Sequence, residues 1–154
     1  MRDIAGVIAP PPVLYGAALM LALLLNAFAP MSLTSCCRRL LWPIGATLIA
    51  FGLMAIASVV WTFSRAGTPV SPRRPTAGIV RTGPYRYSRN PDYLGQMLIY
   101  LGVTVAANTW WPILLLPPVL FLIQRGVVRR EEHYLEAKFG NEYREYKAQT
   151  PRWL

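Results

Sequence analysis

Charged side chains are scarce in this 154-residue chain: Asp, Glu, Lys and Arg make up 15%, against 54% hydrophobic residues. With a positive mean hydropathy, that balance excludes an ordinary soluble core and points to a small polytopic membrane protein forming one domain over residues 1–154. Histidine occurs once, at His133, and cysteine twice, at Cys36 and Cys37. Adjacent cysteines seldom form a relaxed disulfide, because their Cβ geometry is unfavourable, so the pair reads as small residues at a membrane edge. No metal site is expected. A net charge of +9 would suggest nucleic acid in a soluble protein. Here the basic residues fall in the gaps between apolar runs, as positive-inside topology requires, and no nucleic-acid partner is expected.

The apolar runs predict an all-α protein with four membrane spans, at about 13–29, 40–63, 93–108 and 111–128. Prolines bracket the first, and Asn26 is its only polar side chain. Ala27-Phe28-Ala29 resembles a signal-cleavage site, but the amino-terminal region carries only Arg2 against Asp3, so the segment is kept as a helix. The second span holds Gly45 and Gly52 two turns apart on one face, a signal for close helix packing. Asn108-Thr109-Trp110-Trp111-Pro112 joins the last two spans and leaves room only for a tight hairpin. Pro117-Pro118 should kink the fourth. Arginine and lysine concentrate in the loop 64–92 and the tail 129–154, so both are expected to be cytoplasmic, with the two termini on that side.

The loop ends in Gly83-Pro84-Tyr85-Arg86-Tyr87-Ser88-Arg89-Asn90-Pro91-Asp92-Tyr93-Leu94-Gly95, which runs straight into the third span. Pro91 pushes Asn90 out of the α region and suits a first helical turn, so a helix should begin between Asn90 and Asp92. Its free N–H groups and positive dipole end then face the arginines and tyrosines, an arrangement that favours an anionic group. The tail opens with Arg129-Arg130-Glu131-Glu132, and its two carboxylates need solvent or a cation so near the membrane. Adjacent helical residues point about 100° apart, so only one carboxylate can face a given ligand. Leu135, Phe139 and Tyr143 recur every four residues. Either the helix runs through Gly140 or Gly140 ends it and Asn141 caps a second; both give an amphipathic element capping the loop.

These two motifs, in this order and separated by a helical hairpin, resemble the isoprenylcysteine carboxyl methyltransferase family and its prokaryotic relatives; the likeness runs from about Gly67 to Leu154 and includes Phe139-Gly140-Asn141-Glu142-Tyr143-Arg144-Glu145-Tyr146 and Pro151. The resemblance implies an integral-membrane methyltransferase using S-adenosylmethionine, with a lipophilic or lipid-modified acceptor such as an isoprenylcysteine-like carboxylate. By position it implies cofactor contacts from Arg89, Asn90, Pro91, Tyr93, Gly95, Glu131 and Glu132; Tyr87 is a further candidate contact, Leu135 and Phe139 are candidate apolar walls for the adenine, and Arg89 and Arg125 are the candidate catalytic residues. Arg125 lies where a lipid-borne anionic acceptor would arrive laterally. Many family members have His where this chain has Asn90. His133 is either a surface helix residue or a base for a thiol or amine acceptor. The competing readings are a phospholipid amine or thiol methyltransferase, an NADPH-dependent sterol-type reductase, and a non-enzymatic adaptor binding anionic lipid.

Overall fold

Prolines set where the helices begin. The computed structural model describes residues 6–35, 37–67 and 78–154. In α1 (Pro11–Phe28), α3 (Pro91–Ala106) and α4 (Trp111–Ile123) a proline occupies the first turn, where its missing N–H costs no hydrogen bond. Between α1 and α3 runs α2 (Arg38–Arg65), with Pro43 near its start. A 3₁₀ turn, Gly83–Arg86, precedes α3. Beyond α4 come a π-helical turn, Gln124–Val128, then α5 (Arg129–Phe139) and α6 (Asn141–Gln149). The described residues contain no strand. Cys36, the Arg2–Asp3 pair and the loop's Pro69, Pro72, Arg73, Arg74 and Pro75 lie outside the described residues.

Helix α2 pairs along its length with α3, and glycines set the antiparallel register. A Cβ on Gly52 would lie 2.6 Å from the Gly95 carbonyl oxygen, and one on Gly45 would lie 2.6 Å from that of Gly102. The backbones therefore touch, as in small-residue helix contacts in membranes, where packing rather than the hydrophobic effect holds helices together. At the end of α2, Gly83 adopts φ +60°, and a side chain there would meet Thr62. The turn is clamped further by the Tyr85 ring edge-on to Phe63 at 5.3 Å.

The other pair is α1 with α4, also antiparallel. Ile8 N donates to the Gly126 carbonyl at one end, and Trp111 Nε1 donates to the Ala29 carbonyl at the other, at 3.2 and 2.7 Å. The hairpin before α4 turns at Asn108, whose φ of +52° and two hydrogen bonds to the Thr34 backbone close that end. Asn26, the lone amide of the first span, accepts from Thr109 Oγ1 at 2.8 Å. The start of α1, the end of α2, the start of α3 and the end of α4 thus lie together, with the hairpin at the opposite end.

Among the described residues three helical stretches are long and apolar enough to cross a membrane: Pro11–Phe28, Arg38–Arg65 and the continuous Trp111–Phe139. Phe51, Leu53, Met54, Trp61, Phe121 and Leu122 are exposed, as lipid-facing residues would be. The expected third span is the 16-residue α3, shorter than the other three. The expected fourth span, 111–128, lies within the continuous helix Trp111–Phe139. Charge begins at Arg129, but the helix continues through the π-helical turn into α5, because the chain keeps its backbone hydrogen bonds by inserting one wider turn. At about 1.5 Å per residue a helix of this length outreaches a hydrocarbon core, which leaves its charged end clear of it. The helix also stays α-helical at Pro117-Pro118.

Candidate active site

The site lies where the start of α3 meets α5, and hydrogen bonds specify it. Glu132 is buried and held by two arginines: Arg89 Nη1 donates to Oε1 at 2.8 Å, while Arg152 Nε and Nη2 donate to Oε1 and Oε2 at 2.9 and 2.6 Å. That contact raises the Arg152 pKa further above its ordinary value. Glu131, one residue earlier and turned about 100° away, accepts from the Tyr93 hydroxyl at 2.7 and 2.8 Å to its two oxygens.

The carboxyl-terminal segment closes over this pair. Arg89 N donates to the Pro151 carbonyl at 2.9 Å, and Ser88 Oγ and Asn90 Nδ2 both donate to the Arg152 carbonyl, at 3.2 and 2.9 Å. Tyr146 of α6 donates its hydroxyl to the Tyr85 carbonyl at 2.9 Å, and Arg81 reaches the Glu142 carbonyl at 2.6 Å. Gly140 makes this return possible. Its φ of +54° ends α5, and α6 starts at once. Of the two alternatives read at Gly140, two helices is the one observed, although Asn141 makes no side-chain cap. Burial raises the Tyr85 phenol above its ordinary pKa, with the nearby Asp92 charge adding to it, and burial likewise raises Tyr143. Both phenols therefore stay neutral at neutral pH.

Of the residues singled out from sequence, Arg89, Tyr93, Glu131 and Glu132 come together. Asn90 does not face them with its amide; that group is spent on the tail carbonyl, a latch that needs a donor and no titratable ring. Pro91 supplies the first turn of α3, and Gly95 belongs to the contact with Gly52. Tyr87 is exposed. Arg125 is also exposed, its guanidinium 5.0 Å from the Phe121 ring centre on the outer surface of the π-helical turn. Leu135 and Phe139 are half-buried on α5. The sequence reading missed Arg152 and Ser88 as partners. Only the neighbouring Pro151, part of the resemblance, marked that region.

Two groups in the cluster are left open. Arg89 Nε is buried without a hydrogen-bond partner among the described residues. Glu131 takes its hydrogen bonds from a neutral phenol and pairs with no cation among the described residues. A spare donor on a guanidinium fixed by Glu132 and, on the adjacent residue of α5, a carboxylate that accepts from Tyr93 are the two kinds of group that a small molecule bearing both charges would need.

The family model described as phospholipid methyltransferase matches residues 41–142, about two-thirds of the chain. The chain belongs to this family. The matched stretch contains Arg89, Tyr93, Glu131 and Glu132, and Arg152 lies beyond it. The chain is 39% identical over 62 residues to an uncharacterised protein of Haemophilus influenzae, covering 40% of this chain and 78% of that one. It is 32% identical over 73 residues to the protein-S-isoprenylcysteine O-methyltransferase of Schizosaccharomyces pombe, covering 47% of this chain and 31% of the yeast enzyme. The aligned part is thus under a third of the yeast protein's length. No solved structure matches the chain. The resemblance drawn from the two motifs holds at the level of a membrane methyltransferase family.

Proposed function

We propose that the protein transfers a methyl group from S-adenosylmethionine to a lipophilic acceptor at the membrane surface. The observation that carries the reading is that Glu132, bound by Arg89, and Glu131, bound by Tyr93, follow one another on α5, with Arg89 Nε left without a partner among the described residues. The methionyl end of that cofactor bears a carboxylate and an ammonium. Arg89 would hold the first and Glu131 the second, with the half-buried Leu135 and Phe139 offered to the adenine. When bound, the cofactor supplies an electrophilic methyl. The chain's part is to hold and orient: Glu132 fixes Arg89, Tyr93 fixes Glu131, and the tail segment 150–153 limits water access. Orientation of this kind is worth up to about 7–11 kcal/mol in favourable model systems.

An isoprenylcysteine-like carboxylate is the acceptor the resemblance implies, with phospholipid amines and thiols as alternatives. The reading includes α3 as a fourth crossing, since it is aligned with α2 along its length and is about 24 Å long at 1.5 Å per residue, close to a hydrocarbon core of about 30 Å. Both termini are then cytoplasmic, together with the site. To test it, protein in lipid nanodiscs is incubated with methyl-tritiated S-adenosylmethionine and a membrane lipid extract. Tritium entering the organic phase, and failing to do so with Glu131→Gln, is the expected result. NADPH consumption without methyl transfer would overturn it in favour of a reductase.

A further inference from the structure

We propose that the amino-terminal segment 6–8 is a positioning element for the candidate active site: docked on the π-helical turn Gln124–Val128, it holds the inserted residue that turns Glu131 and Glu132 toward α3. Its bearing on the Arg89–Glu132 contact stands on the fold alone. Its bearing on methyl transfer rests on the proposed function.

A π-helical turn adds one residue to an α-helix, so every side chain beyond it is rotated by about 100° relative to an uninterrupted helix. Val119 and Ile123 are buried on α4. Two α-helical turns past Ile123, at about 3.6 residues per turn, would bring Arg130 to that inward face. With the extra residue Glu131 arrives there instead and accepts from Tyr93, while Glu132 beside it reaches Arg89. Arg130 is exposed. The cluster therefore depends on the turn being kept.

Turns of this kind are rare, and this one has a partner outside its own helix. Ile8 N donates to the Gly126 carbonyl at 3.2 Å, and Arg130 Nη1 donates to the Gly6 carbonyl at 2.8 Å. The two bonds run in opposite directions across the turn. One ties down a carbonyl within it, and the other holds outward the arginine that an uninterrupted helix would turn inward. Glycine at 126 permits the approach: the three atoms nearest a Cβ there all belong to Ile8, at 2.7, 3.3 and 3.6 Å. Between the two bonds Val7 packs against the apolar core that includes Val127 and Val128. Segment 6–8 thus touches the turn through backbone, side chain and core at once, without contributing a residue to the cluster.

The test is a double-mutant cycle on the full chain, unfolded in mixed micelles with sodium dodecyl sulfate. Ile8→Pro removes the N–H accepted by the Gly126 carbonyl and changes no charge, so any coupling to Glu132 runs through the turn. Glu132→Gln is expected to lower the folding equilibrium constant at least about tenfold less in the Ile8→Pro background than in the wild type, because the carboxylate is already turned from Arg89 there. Gly126→Leu, whose side chain would enter the space of Ile8, carries the test should Ile8→Pro fail to fold. Losses that add to within about twofold, as for sites that do not communicate, would overturn the clamp. In a parallel calorimetric titration both single variants are expected to bind S-adenosylhomocysteine severalfold more weakly, although neither alters a residue of the cluster. Wild-type affinity in the folded variants would overturn the clamp as well. No binding by the wild type together with a non-additive cycle sinks methyl transfer alone, and binding with an additive cycle sinks the clamp alone.

Discussion

Glu132 should be the residue whose loss costs the fold most at the site. Its side chain is 11% exposed and accepts three charge-assisted hydrogen bonds, one from Arg89, itself 10% exposed, and two from Arg152, which is 33% exposed. In Glu132→Gln the Arg89 guanidinium stays buried without an anion, and breaking a buried pair in this way costs about 3–5 kcal/mol. Arg152→Gln leaves the Arg89–Glu132 pair intact. Its own bonds are partly solvated and screened, so the full value of about 1.5–3 kcal/mol for bonds to a charged group falls to about 1–2. The double variant Arg89→Gln/Glu132→Gln removes both buried charges and should recover part of the Glu132→Gln loss. Unfolding in mixed micelles by titration with sodium dodecyl sulfate measures all three. Glu132→Gln costing no more than Arg152→Gln, or a double variant no better than the sum of its singles, would refute the account of Glu132 as the anchor of a buried charge.

Further outcomes follow from the same contacts. Gly52→Ala places a methyl 2.6 Å from the Gly95 carbonyl and from Ile99, which should destabilise the protein by about 1–3 kcal/mol in the same titration; unchanged stability would show that α2 and α3 do not touch there. Asn90→Ala removes the donor to the Arg152 carbonyl, at about 1 kcal/mol, and should speed trimming of the last residues by carboxypeptidase; a rate equal to wild type would discount the latch. With Cys36 and Cys37 replaced by serine, cysteines introduced as Ser32→Cys and Gln149→Cys should react with a membrane-impermeant maleimide from opposite sides of sealed vesicles. Labelling of both from one side would contradict the proposed topology.

Much of this architecture is legible in the sequence because its determinants are local. Prolines at Pro11, Pro91 and Pro112 mark helix starts, and the apolar runs mark the candidate crossings, within a few residues of where the helices lie. The Gly45–Gly52 spacing signals close packing, but its partner is Gly102 and Gly95, which only the fold reveals. Arg129 and Arg130 mark by composition where the apolar run ends, while the helix itself continues to Phe139, since charge does not stop an α-helix whose backbone bonds are satisfied. At the site the motif residues Arg89, Tyr93, Glu131 and Glu132 are found together. Which carboxylate is left for a ligand depends on Arg152, 20 residues from Glu132 in the chain, and no local pattern announces that pairing.

The central claim is that the Arg89–Glu131 cluster binds the methyl donor, and calorimetric titration of the purified protein with S-adenosylhomocysteine tests it most directly. The account predicts saturable binding at one site per chain, weakened about tenfold or more by Glu131→Gln through loss of one charge-assisted contact, with no competing heat from NADPH. A folded protein that ignores S-adenosylhomocysteine, or binds it equally well with Glu131→Gln, would contradict the account.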